Sequence, residues 1–160
     1  MEKEFKIKYQ YFNSAEELSD EDQQLFQQAL AARDNAYAPY SDFLVGCVVQ
    51  LESGKTVTAN NQENAAFPSG LCAERAAIFW TAANYPDEKI SRILVTGGPR
   101  NSSGKIPATP PCGACRQSIL EYETKQGSNI EICFASVNGE ALKVDSVKDL
   151  LPFTFDGSFL

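Results

Sequence analysis

The chain has 160 residues, of which 43% are hydrophobic and 22% charged, as expected for one globular domain with a sizeable core. Its formal net charge is −7 without any long Lys/Arg cluster, which argues against a nucleic-acid partner. The chain contains no histidine, which excludes Ser-His-Asp triads, Cys-His dyads and zinc sites that require an imidazole.

The N-terminal residues predict one strand and one helix. Aromatic and aliphatic residues alternate with polar ones at Phe5, Ile7, Tyr9 and Tyr11. This period predicts a half-buried strand that adds an edge strand to a sheet or covers another subunit. We divide the chain into an N-terminal extension, residues 1–18, and a single domain, residues 19–160. The domain begins with an N-capping Ser19 and a predicted helix to about Tyr37, which Pro39 stops.

The remaining pattern alternates strands with helices and therefore predicts an α/β sandwich. The predicted strands cover residues 43–51, 56–59, 91–97, 130–135 and 141–144, and the predicted helices cover 72–84, 112–125 and a short 145–151. A loop rich in Gly, Ser and Pro occupies residues 98–111, and loops of this length are often functional.

No apolar run approaches the ~20 residues that a membrane span needs, and the first residues lack the order of a signal peptide. We therefore expect a cytoplasmic protein without a membrane partner. The five cysteines are then predicted to be thiols or metal ligands and not a disulfide framework.

Three of the cysteines suit a metal site. Cys112 and Cys115 form a C-x-x-C pair, Cys72 can supply a third thiolate, and Glu74 follows it by two residues. A catalytic zinc keeps one coordination position for water, whereas a structural zinc has four protein ligands. Three thiolates beside one acid therefore indicate an open site, although the C-x-x-C pair alone is equally typical of a structural zinc or a redox centre. The other two cysteines, Cys47 and Cys133, are predicted to be buried small hydrophobic residues.

Several segments together resemble the small, homotetrameric, zinc-dependent type of the cytidine and deoxycytidylate deaminase family. They are Cys72-Ala73-Glu74-Arg75, Pro111-Cys112-Gly113-Ala114-Cys115-Arg116-Gln117, residues 36–43, residues 61–65, and Leu150-Leu151-Pro152 with Phe155 after it. The resemblance runs from about Ser19 to the C-terminus. It implies a three-layer α/β/α sandwich with a five-stranded mixed sheet and both zinc-bearing segments at helix N-termini.

The resemblance also implies an activity. Cys72, Cys112 and Cys115 would hold one zinc ion per subunit, and Glu74 would transfer protons during the hydrolytic deamination of cytidine and deoxycytidine. The products would be uridine or deoxyuridine and ammonia, a reaction of pyrimidine salvage. Arg75 would donate hydrogen bonds to the sulfurs and offset their charge, with Arg116 as a second candidate for this role.

The substrate contacts come from the same resemblance. Asn61 and Glu63 would bind the ribose 3′-hydroxyl, Phe43 would pack on the base or sugar, and the Ala73 backbone would contact the pyrimidine edge. Phe155 would reach a neighbouring subunit's pocket, which implies a homotetramer with shared active sites. Without the resemblance, the same residues would be interpreted as a hairpin end, a solvated charge and core aromatics.

Three alternatives remain open at this point. A relative that deaminates another cytosine compound such as blasticidin S would share the cysteine pattern, and a polynucleotide-editing deaminase would need a basic surface. A zinc-stabilised scaffold would not need Glu74. The chain also departs from the family pattern at residues 46–49 and at Phe153, which stands where a small residue is usual.

Overall fold

A computed structural model describes residues 1–101 and 103–160. The strands are β1 Gln10–Phe12, β2 Phe43–Leu51, β3 Thr56–Asn60, β4 Ile90–Pro99, β5 Glu131–Ser136 and β6 Ala141–Val144. The α-helices are α1 Asp20–Arg33, α2 Ala73–Asn84 and α3 Gly113–Gln126. The described residues thus form one six-stranded sheet of order β1-β6-β5-β4-β2-β3, in which β4 and β5 run parallel and the other neighbours antiparallel.

Helices cover both faces of the sheet, and the alternation of side chains along each central strand explains why. In β2, Val48 packs in the cluster that contains α1, whereas Cys47 and Val49 pack in the cluster that contains α2 and α3. The predicted three-layer α/β/α sandwich is therefore confirmed. The five predicted strands correspond to β2–β6, and β1 adds a sixth at one edge. Cys47 and Cys133 are buried, as predicted.

Helix α1 begins where the sequence predicts and ends earlier. The Ser19 hydroxyl accepts a hydrogen bond from the Asp22 amide at 3.2 Å, which caps the helix N-terminus. The helix ends at Arg33 and not near Tyr37. Tyr37 instead pairs with a distant segment, since its amide donates to the Asn61 carbonyl and its carbonyl accepts from the Glu63 amide. These bonds replace the last helical turn.

The predicted N-terminal strand was too long. In the described part of the chain only Gln10–Phe12 pairs with β6, opposite three of the four residues of that strand. Phe5, Ile7 and Tyr9 are accordingly exposed. The Phe5 ring lies 6.4 Å from the Phe153 ring, which brings the two ends of the chain together.

Two buried carboxylates fix the elements around the sheet. Glu123 of α3 accepts hydrogen bonds from the amides of Ile130 and Val147 at 2.9 and 3.1 Å and from the Ser146 hydroxyl at 2.6 Å. This carboxylate joins α3 to the start of β5 and to the segment after β6. It therefore fixes the helix that carries two of the three candidate metal ligands.

The second carboxylate is Asp22 of α1, which is 1% exposed. It pairs with Lys143 of β6 and, at 2.8 Å, with Arg92 of β4. Burial alone would raise the pKa of Asp22, but hydrogen bonds from Lys143 and Ser19 and the nearby charges outweigh it and hold the pKa below its ordinary value. The ion pairs anchor α1 to the sheet.

Among the described residues, no helix is both long and apolar enough to cross a lipid bilayer.

Candidate active site

The thiols of Cys72, Cys112 and Cys115 meet at the N-termini of α2 and α3. Cys72 is the N-cap of α2, Cys112 is the N-cap of α3, and Cys115 lies in the first turn of α3. Their sulfurs all lie within 4.8 Å of one another, with Sγ–Sγ distances of 3.8 Å for Cys72–Cys112 and 3.4 Å for Cys112–Cys115. Two segments 40 residues apart therefore build one cluster.

The cluster fits a zinc ion. A tetrahedral site with Zn–S bonds of about 2.3 Å has its sulfurs about 3.8 Å apart, close to the distances found here. Thiolates bind zinc, and the N-terminus of a helix favours the ionised form of a thiol. A hydrogen bond with Cys115 lowers the pKa of Cys72 to about 5, and the Arg75 guanidinium contributes to this effect. The same hydrogen bond and burial raise the pKa of Cys115. The three sulfurs leave a fourth position for a non-protein ligand.

Glu74 lies in the first turn of α2, where it is 4% exposed. Burial raises the pKa of Glu74 to about 7, although bonds to its own backbone amide and to Cys115 oppose the increase. A carboxylate that is removed from water beside a metal-binding cluster differs from an ordinary solvated glutamate. Ala73, the first residue of the same helix, is fully buried. The helix start therefore holds a thiol and a buried acid next to each other.

The two arginines of the motifs have different partners. Arg75 Nη2 lies 3.9 Å from the Cys72 sulfur, and Arg75 Nε is buried without a hydrogen-bond partner among the described residues. Arg116 instead donates to the carbonyls of Pro111 and Leu150, each at 2.8 Å. The structure thus assigns the contact with sulfur to Arg75. Arg116 fixes the backbone before Cys112 against the C-terminal segment.

A cavity of about 510 Å³ adjoins the cluster and is lined by Cys72, Arg75, Asn61 and Glu63 among others. Asn61 Oδ1 accepts a hydrogen bond from the Val45 amide at 2.8 Å, and its Nδ2 donates to the Phe43 carbonyl at 2.9 Å. The side chain thereby continues the β2–β3 ladder beyond the end of β3. Asn61 and Glu63 thus share a cavity with Cys72, although the side chain of each one also bonds backbone groups.

The Glu63 carboxylate holds the chain before β2. It accepts hydrogen bonds from the amides of Tyr40 and Ser41 at 2.8 and 3.3 Å and from the Ser41 hydroxyl. The bond from the Ser41 hydroxyl and that from the Tyr40 amide lower the pKa of Glu63 below its ordinary value. Tyr40 and Ser41 also line the cavity, and this arrangement could not be predicted from the sequence because the partners lie more than 20 residues apart.

The two predicted aromatic contacts lie outside the lining of this cavity within the described part of the chain. Phe43 is 37% exposed and begins β2, where an atom of its ring would lie 3.2 Å from a Cβ at Gly97. Phe155 is 58% exposed and stacks on Phe159 at 5.3 Å. Neither side chain is a core aromatic. Their roles in substrate binding stay predictions.

Comparison with known proteins agrees with this geometry. Residues 19–128 match the family model described as the cytidine and deoxycytidylate deaminase zinc-binding region. A cytidine deaminase of Halalkalibacterium halodurans is 31% identical over 133 residues, which cover 83% of this chain and 92% of that protein. A cytidine deaminase of Mycoplasma genitalium is 34% identical over 116 residues, which cover 72% and 81% of the two chains.

Solved structures agree as well. The crystal structure of cytidine deaminase from Burkholderia pseudomallei has a TM-score of 0.71 and 34% identity, and the similarity covers 83% of this chain and 98% of that one. The cytidine deaminase of Mycobacterium tuberculosis has a TM-score of 0.64 and 30% identity over 83% and 95% of the two chains. Residues 19–128, which match the family model, contain the whole thiol cluster, Glu74 and the residues that line the cavity. This chain therefore belongs to the cytidine and deoxycytidylate deaminase family.

Proposed function

We propose that this protein catalyses the zinc-dependent hydrolytic deamination of cytidine and deoxycytidine to uridine and deoxyuridine, with release of ammonia. The observation that carries the proposal is a carboxylate, Glu74, that is 4% exposed at the start of α2 next to three thiols within 4.8 Å of one another. A structural zinc site has no need of such an acid. The relatives named cytidine deaminase support the choice of substrate.

The chemistry divides between the metal and the chain. When bound by Cys72, Cys112 and Cys115, zinc supplies Lewis-acid activation of the attacking water. Glu74 takes a proton from that water as it adds to C4 of the base, and gives a proton to ring N3. Glu74 then takes the remaining proton of the hydroxyl added at C4 and gives it to the exocyclic nitrogen, so that the C4–N bond breaks, ammonia leaves and the C4 carbonyl forms. Water and cytidine thus yield uridine and ammonia, and Glu74 is regenerated.

Arg75 balances the charge of the site. Three thiolates around a divalent cation have a net charge of −1, and the guanidinium beside Cys72 offsets it. The cluster would otherwise weaken the metal as a Lewis acid. We therefore assign to Arg75 the role of offsetting the negative charge of the thiolates.

The cavity supplies the nucleoside contacts. Asn61 uses one lone pair and one amide hydrogen toward β2, so it keeps one donor and one acceptor position. Glu63 Oε1 accepts one hydrogen bond, from Ser41, and keeps a further lone pair for a sugar hydroxyl. We assign the ribose 3′-hydroxyl to these two side chains, the base or sugar to Phe43, and the pyrimidine edge to the Ala73 backbone.

A homotetramer with shared active sites is the proposed assembly. Phe155 stacks on Phe159 and stands clear of its own chain's cavity, which leaves it available to a neighbouring subunit. Exposed Phe79 and Trp80 on α2 give further apolar surface for such contacts. Sedimentation equilibrium of the purified protein measures the subunit number directly.

Five free thiols suit the reducing cytoplasm, where pyrimidine salvage uses free nucleosides.

The test is the ultraviolet absorbance change of cytidine with the wild type, Glu74→Gln and Glu121→Gln. Glu121 is an exposed glutamate of α3, so its variant matches the chemical change away from the thiols. We expect Glu74→Gln to retain zinc and thermal stability while its turnover falls about 10²- to 10⁴-fold, as for loss of a general acid-base group. Wild-type turnover of blasticidin S but not of cytidine would replace the proposed substrate, and full activity of Glu74→Gln would refute the mechanism.

A further inference from the structure

We propose that Asp42 and Arg100 are a positioning pair for nucleoside binding, because they hold the 39–42 turn against the cavity. The inference rests on the proposed function, since it takes the cavity as the nucleoside site. Tyr40 and Ser41 of this turn line the cavity, and Phe43 follows it. Asp42 lies within the family segment 36–43, but the sequence does not predict its pairing with Arg100, which lies 58 residues away.

The backbone at Asp42 shows that the turn needs external support. Its φ angle is 54°, in the left-handed region that few residues other than glycine adopt readily. Aspartate tolerates this region better than most side chains do, but such a conformation persists only where neighbouring contacts determine it. The bond from the Asp42 amide to the Ala38 carbonyl, at 3.1 Å, closes the turn on itself. The remaining support comes from two sides.

On the cavity side, the support is Glu63. Its carboxylate accepts from the amides of Tyr40 and Ser41 and from the Ser41 hydroxyl, and that hydroxyl accepts from the Phe43 amide at 3.1 Å. In the proposed function, Glu63 also accepts a sugar hydroxyl. The sugar hydroxyl would then share Oε1 with the Ser41 hydroxyl, whereas the two amides bond Oε2.

The second support is Arg100, just after β4. Its Nε donates to Asp42 Oδ1 at 2.8 Å, and its backbone amide donates to the Asp42 carbonyl at 2.9 Å. The preceding residue, Pro99, pairs with Phe43, and the Pro99 carbonyl accepts from Arg33 at 2.8 Å. Arg100 thus connects the turn to β4 and to α1.

The two supports differ in what substrate does to them. Binding of a sugar hydroxyl engages Glu63 but leaves the contacts of Arg100 with Asp42 unchanged. The pair therefore keeps the turn in place while Glu63 gains a new partner. A residue that acts in this way strengthens ground-state and transition-state binding equally, so its loss raises KM and leaves kcat unchanged.

The kinetic test compares Arg100→Ala with Lys55→Ala. Lys55 forms an exposed ion pair with Glu88 at 2.7 Å beyond the β2–β3 turn, so its variant is a matched control for the loss of a surface ion pair. For Arg100→Ala we expect KM for cytidine to rise about two- to fivefold, the range for an exposed pair, with kcat within about twofold. For Lys55→Ala we expect no change in either constant. An unchanged KM in Arg100→Ala, or a loss confined to kcat, overturns the proposal.

Two further variants separate the effect of losing the ion pair on KM from the effect of the backbone conformation at Asp42. Asp42→Gly keeps the left-handed turn accessible and removes the carboxylate, so its KM should match that of Arg100→Ala, and the double variant should be no worse than either single change. Asp42→Val opposes the positive φ and should raise KM by about tenfold or more. Additive effects of Asp42→Gly and Arg100→Ala would show that the two side chains act separately, which overturns the pair.

A measurement without substrate distinguishes this inference from the proposed function. Hydrogen exchange of a peptide covering residues 37–45 should be about two- to fivefold faster in Arg100→Ala than in the wild type and unchanged in Lys55→Ala. Unchanged exchange in Arg100→Ala overturns the positioning role whether or not cytidine is turned over. Failure of the wild type to convert cytidine overturns the proposed function, and the exchange result still decides whether the pair holds the turn.

Discussion

At Gly46 of β2 the backbone of α1 lies directly against the sheet, and replacing this glycine tests the packing of the helix on the sheet. A Cβ added to Gly46 would lie 1.9 Å from the Ala29 carbonyl oxygen, 2.7 Å from the Arg33 amide and 2.9 Å from the Ala29 carbonyl carbon. All three atoms belong to the helix backbone, so no side chain can rotate to make room. In Gly46→Ala, α1 must therefore move away from β2 as a unit.

The expected loss of stability in Gly46→Ala follows from overpacking of the core. Extra methyl groups in a close-packed core cost about 1 to 3 kcal/mol, and a clash with rigid backbone belongs at or above the upper end of that range. For a domain of this size, 1 kcal/mol changes the melting temperature by about 2 to 4 °C. We therefore expect Gly46→Ala to melt at least about 6 to 12 °C below the wild type.

Gly98 provides the matched control, because it is also a buried glycine of the central sheet. Its added Cβ would lie 2.4 Å from Ile106 Cδ1, the far end of a flexible side chain that can change rotamer at a cost of about 1 kcal/mol. Thermal unfolding of both variants, followed by circular dichroism at one protein concentration and one zinc concentration, compares the two costs. If Gly46→Ala melts no lower than Gly98→Ala, the predicted clash between residue 46 and the α1 backbone is refuted.

Three other changes test the buried carboxylates and the metal ligands. Glu123→Ala leaves two buried backbone amides without an acceptor and should lower the free energy of urea unfolding by about 2 to 6 kcal/mol, whereas Glu121→Ala on the exposed face of the same helix should change it little. Asp22→Asn should cost about 3 to 5 kcal/mol near neutral pH. Because the folded-state pKa of Asp22 is below its ordinary value of 3.8, its stabilisation is present above that pH and is lost as the pH falls through the folded-state pKa, so the difference between variant and wild type should shrink in acid. Cys112→Ala should lose zinc on metal analysis, and a chelator should lower the melting temperature of the wild type by about 5 to 10 °C but leave that of the variant unchanged.

The sequence predicted correctly the bounds of those elements that begin or end at a local signal such as a turn or an N-cap residue. The strand at residues 43–51 has the same bounds in the structure because its apolar run ends at a Ser53-Gly54 turn. Helices α2 and α3 begin directly after Cys72 and Cys112, as predicted. The predicted end of α1 was wrong because Tyr37 pairs with residues 61 and 63. No local sequence pattern indicates a pairing over such a distance.

The same distinction applies to the site. Cys72, Cys112 and Cys115 could be grouped from residue type and spacing, because few other arrangements use three thiols and an acid. The contact between Arg75 and a sulfur followed from the family resemblance. The second assignment to Arg116 did not hold, since that guanidinium bonds two backbone carbonyls that lie 5 and 34 residues away. Such contacts exist only once the layers have packed.

Asn61 shows why substrate binding and folding cannot be separated in this cavity. Strand β3 ends at Asn60, so the Val45 amide and the Phe43 carbonyl would have no ladder partner without the Asn61 side chain. Removing that side chain takes two hydrogen bonds from the start of β2 as well as one candidate sugar contact, and a higher KM in such a variant therefore has two causes. Glu74 differs, because within residues 1–101 and 103–160 its carboxylate bonds its own backbone amide and the Cys115 thiol and no strand backbone. A loss of rate at Glu74 with stability unchanged can consequently be assigned to chemistry, whereas a loss of binding at Asn61 requires the stability of β2 to be measured beside it.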